Sequence, residues 1–182
     1  SLVLNIYKTY GKGQVLIDLE GHGREDVVMG IDTSRTVGWF TSIYPILLKS
    51  NGDLSMTIKT VKDTIRKVPN KGLDYLLYKF SESDHVKSDQ TESLISFNYL
   101  GQFDTDISNR SFEIAYENGG IQHSILNKRY YEWDFVGMIS RGELQIRLIY
   151  SKDQYSKDQI QFFLKHYKQT LLTLILHCQE QG

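Results

Sequence analysis

The stretch EWDFVGMISRGELQIRLIY, residues 132–150, indicates the kind of fold that the chain adopts. Its second half alternates aliphatic with polar side chains, which is the period of a strand that buries one face. SRG at 140–142 places a glycine turn between two such runs. The stretch therefore predicts a β-hairpin with one face packed on something apolar; the aliphatic positions are Leu144, Ile146 and Leu148.

Two amphipathic helices are predicted around this hairpin. Ser156 and Gln159 have the spacing of a capping box, and apolar residues then recur at the helical period. The earlier helix spans 54–68, with Asp53 as its cap and Pro69 at its end. The apolar stripe of the last helix consists of Ile160, Phe163, Leu164, Tyr167, Leu171, Leu174, Ile175 and Cys178.

The remaining apolar runs are short and mostly extended. QVLIDL (14–19) predicts a strand with Glu20 at its carboxyl end, and SLISFNYL (93–100) predicts another. WFTSIYPILL (39–48) predicts an extended segment in which Pro45 marks a sheet edge or a break in the ladder. Residues 2–9 are similar to the tail of a helix. Strands and helices interleave irregularly, so we expect one α+β domain over residues 1–182.

Composition excludes several classes of function. The chain has 21 basic and 22 acidic residues and no Lys/Arg stripe, so nucleic acid is a poor partner. LLTLIL (171–176) falls far short of the roughly 20 residues that cross a bilayer, so no membrane partner is predicted. Cys178 is the only cysteine, which fits a reducing cytoplasm. The five histidines show no HxxxH spacing, so no metal site is predicted.

EGHGRE, residues 20–25, raises a question that residue chemistry leaves open. A carboxylate at the end of a strand, beside glycines that allow a ligand close to the backbone, could serve as a general base. A charged loop held by Glu–Arg pairing is the more common outcome for such a stretch. The glycines do not match a phosphate-binding pattern, so no nucleotide site is predicted.

Two aromatic segments carry similar ambiguity. In FNYLGQFD (97–104), Asn98 and Tyr99 have donors that could polarise a carbonyl, but an aromatic strand before a glycine turn usually packs in a core. Trp39, Phe40 and Tyr44 could line a channel, with burial in a strand as the default.

Four motifs together resemble those of a known family. EGHGRE (20–25), RTVGWFTSIYPILL (35–48), PNKGLDY (69–75) and FNYLGQFD (97–104) are similar, in this order, to signature motifs of epimerization domains in nonribosomal peptide synthetases. The resemblance implies the condensation-domain superfamily, in which two chloramphenicol acetyltransferase-like halves enclose a tunnel. No HHxxxDG occurs in this chain, so we expect the C-terminal subdomain without its N-terminal partner. The start at Ser1 rather than Met fits that expectation.

The resemblance also implies a reaction and its participants. The family inverts the α-carbon of an aminoacyl or peptidyl thioester on the phosphopantetheine arm of a peptidyl carrier protein, and the domain binds no cofactor of its own. Glu20 is then one acid/base group, and the histidine of the N-terminal half is the other. Tyr99 is expected near the thioester as a catalytic residue. His22, Arg24 and Asn98 are expected to bind substrate, Arg24 either in this role or in a structural ion pair.

One departure from the family and two alternatives remain. The family usually reads PNKGIGYG where this chain reads PNKGLDYL, so Asp74 replaces one glycine and Leu76 the next. That change keeps open a non-catalytic module that docks carrier proteins or adjacent synthetase modules, and a condensation domain that forms peptide bonds is the other alternative. A half-domain should also expose the apolar face that meets its partner, so we expect self-association.

Overall fold

Five strands and four α-helices form the regular structure of the described residues. The computed structural model describes residues 1–21, 30, 32–81, 92–102, 117, 119–120, 124 and 127–181. The strands are β1 (Gln14–Gly21), β2 (Ser42–Lys49), β3 (Ile95–Gln102), β4 (Trp133–Ser140) and β5 (Glu143–Tyr150). The helices are α1 (Leu2–Tyr10), α2 (Leu54–Arg66), α3 (Leu73–Lys79) and α4 (Lys157–Gln181), and a 3₁₀ turn spans Pro69–Gly72.

The strands form one mixed sheet in the order β2-β1-β3-β4-β5. The two outer pairs, β1 with β2 and β4 with β5, are antiparallel. The two inner pairs, β1 with β3 and β3 with β4, are parallel. Strand β2 is therefore an edge, which confirms the edge position predicted from Pro45, because a proline cannot donate to a ladder on both sides.

The predicted hairpin is confirmed as β4 and β5. Trp133 pairs with Tyr150 at one end, and Ser140 pairs with Glu143 at the other. Arg141 and Gly142 form the two-residue turn with φ values of 55° and 72°. Positive φ at both central positions matches the twist of the flanking strands.

One face of the sheet packs against helices and forms the core. Alternating residues of all five strands meet α1 and α4, with α2 at the margin. Trp133 of β4 packs edge-on against Phe163 of α4, with ring centroids 4.6 Å apart. Aromatic pairs of this kind add stabilisation beyond the area they bury. The buried members are Leu2, Val3, Ile6, Ile17, Ile46, Leu48, Trp133, Phe135, Ile160, Phe163 and Tyr167.

Both predicted helix starts are confirmed. The backbone N–H of Ser156 donates to Gln159 Oε1 at 2.8 Å, and the backbone N–H of Gln159 donates to Ser156 Oγ at 3.3 Å. Asp53 Oδ1 accepts from the backbone N–H of Met56 at 2.7 Å. These bonds satisfy donors that the first helical turn leaves unpaired.

The helix ends differ from the predictions. Helix α2 stops at Arg66 because Val68, which precedes Pro69, is extended with φ −66° and ψ 119°. In α4 the apolar stripe runs past the core: Leu174 is buried, but Ile175 and Cys178 are exposed. A periodic pattern shows which residues share a face and does not show where the opposing surface ends.

The prediction for the segment before β2 was partly wrong. The strand begins at Ser42, and Trp39 lies outside it with 90% of its surface exposed. Tyr44 is buried, as the default interpretation expected. An apolar run indicates a half-buried strand only where buried and exposed positions alternate. Residues 39–41 (WFT) precede the part of the run that alternates.

Gly72 provides a test of how the 3₁₀ turn packs on the sheet. Its φ is +89°, and an added Cβ would lie 1.8 Å from Tyr44 Cδ1. We expect Gly72→Ala to lower the free energy of unfolding by about 2–4 kcal/mol, from backbone strain and the clash together, as measured by urea denaturation. Gly11→Ala is the matched control, since Gly11 has φ +70° with nothing within 4 Å of the added Cβ. Equal losses in the two variants would contradict this packing.

Candidate functional site

A set of polar side chains lies on the sheet face opposite the core. Residues along a strand alternate between faces, and Ile17 and Phe97 point into the core. Their even-numbered neighbours therefore point to the other side. Asp18 aligns with Ser96, and Ser96 with Asp134, so these three form one row across β1, β3 and β4. Glu20 and Asn98 stand one step closer to the carboxyl ends of their strands.

Glu20 and Asn98 are joined directly. Asn98 Nδ2 donates to Glu20 Oε2 at 2.5 Å, although the two residues are 78 positions apart in the chain. The parallel pairing of β1 with β3 brings them together at the carboxyl ends of both strands. This edge of a sheet with parallel strands is where ligands commonly bind.

The neighbouring carboxylates are held by donors from outside their own strands. Tyr131 Oη donates to Asp18 Oδ2 at 2.8 Å. Asp134 accepts from Ser96 Oγ at 2.7 Å and forms an ion pair with Arg129 Nη2 at 2.6 Å. The segment before β4 therefore supplies a donor to each of the two carboxylates in the row.

The environment of this face alters proton affinities. Partial burial raises the pKa of Glu20, and the negative charge of Asp134 raises it further. Burial also raises the pKa of Asp18, while the Tyr131 hydrogen bond and the Lys79 charge oppose that change. The pKa of Tyr131 rises because it is buried and bonded to Asp18. A carboxyl group with a raised pKa is a candidate proton carrier.

The structure brings together only part of the set of predicted site residues. Glu20 and Asn98 are in contact, whereas His22 and Arg24 lie outside the described residues. Tyr99 is 45% exposed and points to the opposite face from Asn98. An added Cβ on Gly137 would lie 3.3 Å from Tyr99 Cδ2, so the Tyr99 ring covers Gly137.

The PNKG turn approaches the end of β1 at Gly21. An added Cβ on Gly21 would lie 3.3 Å from the Lys71 carbonyl oxygen and 2.9 Å from Ser42 Oγ. Asn70 and Lys71 have φ values of 42° and 50°, in the left-handed region. Asn70 Nδ2 donates to both Asp74 oxygens, at 3.0 and 2.9 Å. Asp74, the departure from the family pattern, is thus engaged by its own turn.

Sequence reasoning missed Asp18, Tyr131 and Asp134. A signal for Asp18 was available, since it stands two residues before Glu20 in a strand and must share its face. Asp134 interrupts the apolar run of β4 in the same way. No comparable signal existed for Tyr131, because the segment before β4 has no regular period.

A cavity of about 820 Å³ lies away from these residues, at the amino ends of β1, β3 and β4. Neither Glu20 nor Asn98 lines it, and neither do Asp18, Ser96, Tyr131 and Asp134. Its walls are largely apolar and consist of Ile6, Tyr10, Lys12, Gln14, Val15, Leu16, Glu92, Leu94, Ile95, Glu132, Trp133, Tyr155, Asp158, Gln159, Ile160 and Phe162. The chemistry-bearing side chains, and not this cavity, therefore define the candidate site.

The fold and the carboxylate-bearing face define the class of protein. A mixed five-stranded sheet with helices packed on it matches the chloramphenicol acetyltransferase-like fold of condensation-type domains. The sequence profile of the family described as "Condensation domain" matches residues 1–182. The chain belongs to this family.

Known relatives place the chain among nonribosomal peptide synthetase sequences. Bacitracin synthase 3 from Bacillus licheniformis is 42% identical over 173 residues, which cover 94% of this chain and 3% of that protein. The epimerization domain from the third module of tyrocidine synthetase B superimposes with a TM-score of 0.87 at 35% identity, covering 97% of this chain and 40% of that one. The starter condensation domain of rhizomide synthetase shares the fold, with a TM-score of 0.59 at 14% identity, over 96% of this chain and 39% of that one.

The chain thus spans a small part of these relatives. Within the described ranges, no helix is both long enough and apolar enough to cross a membrane.

The raised pKa values predict a pH dependence of stability. A carboxyl group whose pKa is higher in the folded state binds its proton more tightly there. Its contribution to the stability of the fold is therefore full below the ordinary pKa, which is 3.8 for Asp18 and 4.5 for Glu20. That contribution is lost as the pH rises through the pKa of the folded state. Both groups touch solvent, so the loss should stay below about 1 kcal/mol.

We expect Asp18→Asn and Glu20→Gln each to flatten the decline in urea midpoint between about pH 4 and 7. Asp63→Asn, on the exposed surface of α2, is the control and should leave the slope of the wild type. If both site variants kept the wild-type slope of urea midpoint against pH, burial would not be raising the pKa of Asp18 or Glu20.

Proposed function

We propose that the chain is part of an epimerization domain that inverts the α-carbon, from L to D, of an aminoacyl or peptidyl thioester carried by a carrier protein. The observation that carries this proposal is Glu20, a carboxyl group of raised pKa held by Asn98 at the carboxyl end of β1. The EGHGRE motif and the similarity to a solved epimerization domain support it.

The reaction needs proton transfer on two faces of one carbon. A base removes the α-proton, which the thioester makes acidic, and leaves a planar enolate. An acid then adds a proton from the opposite face, so that the α-carbon regains one hydrogen with inverted configuration. A carboxyl group whose pKa is raised suits either step better than one with its ordinary pKa. Glu20 is the group that we assign to one face.

We assign the second proton carrier to an N-terminal subdomain with an HHxxxDG histidine. The face that bears Glu20 also carries exposed apolar residues that such a subdomain would cover. Ile43 pairs with Glu20 and Leu47 pairs with Leu16 in the sheet, and both aliphatic side chains are exposed. Burial of such side chains against a second half stabilises the assembly by about 25 cal/mol for each Å². Alone, the chain would be inactive.

The partners follow from the same proposal. The phosphopantetheine arm is part of the carrier protein and arrives with the substrate, so this chain needs no cofactor of its own. Adjacent synthetase modules would deliver and receive the carrier in the cytoplasm.

The direct test measures exchange of the α-hydrogen for deuterium on a carrier-bound aminoacyl thioester, with this chain joined to its N-terminal half. We expect Glu20→Gln to lower the exchange rate by about 10²–10⁴-fold, because an amide cannot carry the proton. Asn98→Ala should lower it about tenfold, by loosening the Glu20 side chain. Asp63→Asn should match the wild type. A Glu20→Gln rate equal to that of the wild type would exclude this role.

Tyr99→Phe separates the two predicted catalytic residues. The Tyr99 ring covers Gly137 on the other face of the sheet. We therefore expect removal of the Tyr99 hydroxyl to reduce the exchange rate less than Glu20→Gln does. A larger reduction would assign a direct role to the Tyr99 hydroxyl.

A condensation domain is the second candidate, favoured by the fold shared with the rhizomide starter domain. Formation of a peptide bond between two loaded carrier proteins, without α-hydrogen exchange, would establish it in place of epimerisation.

Asp74 tests the third candidate, a docking module without catalysis. Asp74→Gly restores the glycine of the family pattern, and Asp74→Asn keeps the size of the side chain. Since both Asp74 oxygens are engaged by Asn70, we expect exchange to change less than about threefold in either variant. A large increase in the exchange rate in Asp74→Gly, but not in Asp74→Asn, would show that the Asp74 side chain obstructs the carrier arm. If the wild type, Asp74→Gly and Asp74→Asn all bound the carrier protein without α-hydrogen exchange, the docking module would be favoured.

A further inference from the structure

Asp134 is the most firmly held acidic side chain on the face that bears Glu20. One carboxylate oxygen accepts from Ser96 Oγ at 2.7 Å, and the other accepts from Arg129 Nη2 at 2.6 Å. Arg129 Nη2 also donates to the Ile149 carbonyl at 3.0 Å, which ties it to β5. Both oxygens are therefore directed by neighbours, and the charge has a fixed place on the sheet.

Asp134 is also close enough to act on Glu20. Neighbouring strands lie about 4.8 Å apart, and β1 and β4 flank the single strand β3. The row that contains Asp134 is one step, about 7 Å, below the row that contains Glu20 and Asn98. Two strand spacings and this step together separate the two backbone positions by roughly 12 Å, and on a partly desolvated surface a fixed charge at that range still changes the proton affinity of a neighbour.

The other groups around this face carry charges of both signs. Asp18 adds a second carboxylate from β1, and Tyr131 donates to it. Tyr75 and Lys79 of α3 interact electrostatically with Asp18. Arg129 is the cation bonded to Asp134 itself. The group thus holds two carboxylates and two cations, and of these charges it is Asp134 that raises the pKa of Glu20, which favours the uncharged form of Glu20.

We infer that Asp134 is a positioning residue whose fixed charge favours the protonated, proton-donating form of Glu20, with Arg129 limiting the effect. This inference deepens the proposed function and rests on it for its consequence in catalysis. In the reaction, the base of the other half removes the α-proton. Glu20 then gives its proton to the opposite face of the enolate and becomes a carboxylate. Partial burial of Glu20 is the larger cause of its raised pKa, and Asp134 acts in the same direction.

The first test does not depend on catalysis. The side-chain carboxyl carbon of Glu20 is followed by NMR through a pH titration of the ¹³C-labelled chain, and its signal is assigned with Glu20→Gln. We expect Asp134→Asn to lower the titration midpoint of Glu20 by roughly 0.5–1 pH unit. Asp134→Glu, which keeps the charge, should restore most of the wild-type midpoint.

Arg129→Gln is the matched variant, because it breaks the same ion pair but leaves the Asp134 charge in place. We expect the Glu20 midpoint to rise or stay unchanged in this variant. An unchanged midpoint in Asp134→Asn would overturn the inference. A fall of equal size in both variants would also overturn it, since loss of the ion pair, and not loss of the charge, would then be the cause.

The second test measures α-hydrogen exchange against pH in the domain joined to its N-terminal half. The limb of the profile that Glu20 causes should move to lower pH in Asp134→Asn by the same amount as the NMR midpoint. An NMR shift without exchange in the wild type would contradict the proposed function and leave the role of Asp134 in the charge of Glu20 intact. Exchange with a profile that Asp134→Asn does not move would contradict the inference alone.

Discussion

The parallel pairing of β1 with β3 is the constraint on which the rest of the structure depends. It joins the β2–β1 pair to the three strands β3, β4 and β5, yet the aligned residues are only Asp18 with Ser96 and Leu19 with Phe97. Side chains reinforce this short seam. Ser93 Oγ donates to the Leu16 carbonyl at 3.2 Å, and Asn98 donates to Glu20. The Asn98–Glu20 bond, which positions the candidate acid/base group, therefore also helps to join the two parts of the sheet.

The alternation of side chains along the strands divides the sheet between two tasks. One face carries Trp133, Phe135 and their aliphatic neighbours, which pack on α1 and α4. The residues between them carry the carboxylates. A shift of one residue in the register of β1 would move Asp18 and Glu20 into the core and Ile17 out of it. Core packing thus decides which face of the sheet carries the acidic side chains, and donors such as Tyr131 and Arg129 then hold their carboxylates.

Much of the fold could be predicted because periodicity is a local property. The hairpin, the capping box at Ser156 and the strand that ends near Glu20 all follow from residues close together in sequence. The order of the strands does not, since nothing local shows that β3 lies beside β1. The resemblance to a family named Glu20 and Asn98 without predicting their bond across 78 positions. Tyr131 was missed because the segment before β4 has no regular period, whereas Asp134 was missed although it interrupts the apolar run of β4.

The choice of an amide as the partner of Glu20 has a physical basis. An arginine in the place of Asn98 would hold Glu20 as a carboxylate, because a cation stabilises the charged form. A neutral N–H donor can remain bonded to Oε2 whether the carboxyl group is ionised or carries its proton on the other oxygen. Glu20 can then change its charge without losing its position. The proton transfer proposed for Glu20 would need this property, and partial burial together with the Asp134 charge raises the pKa at which the change occurs.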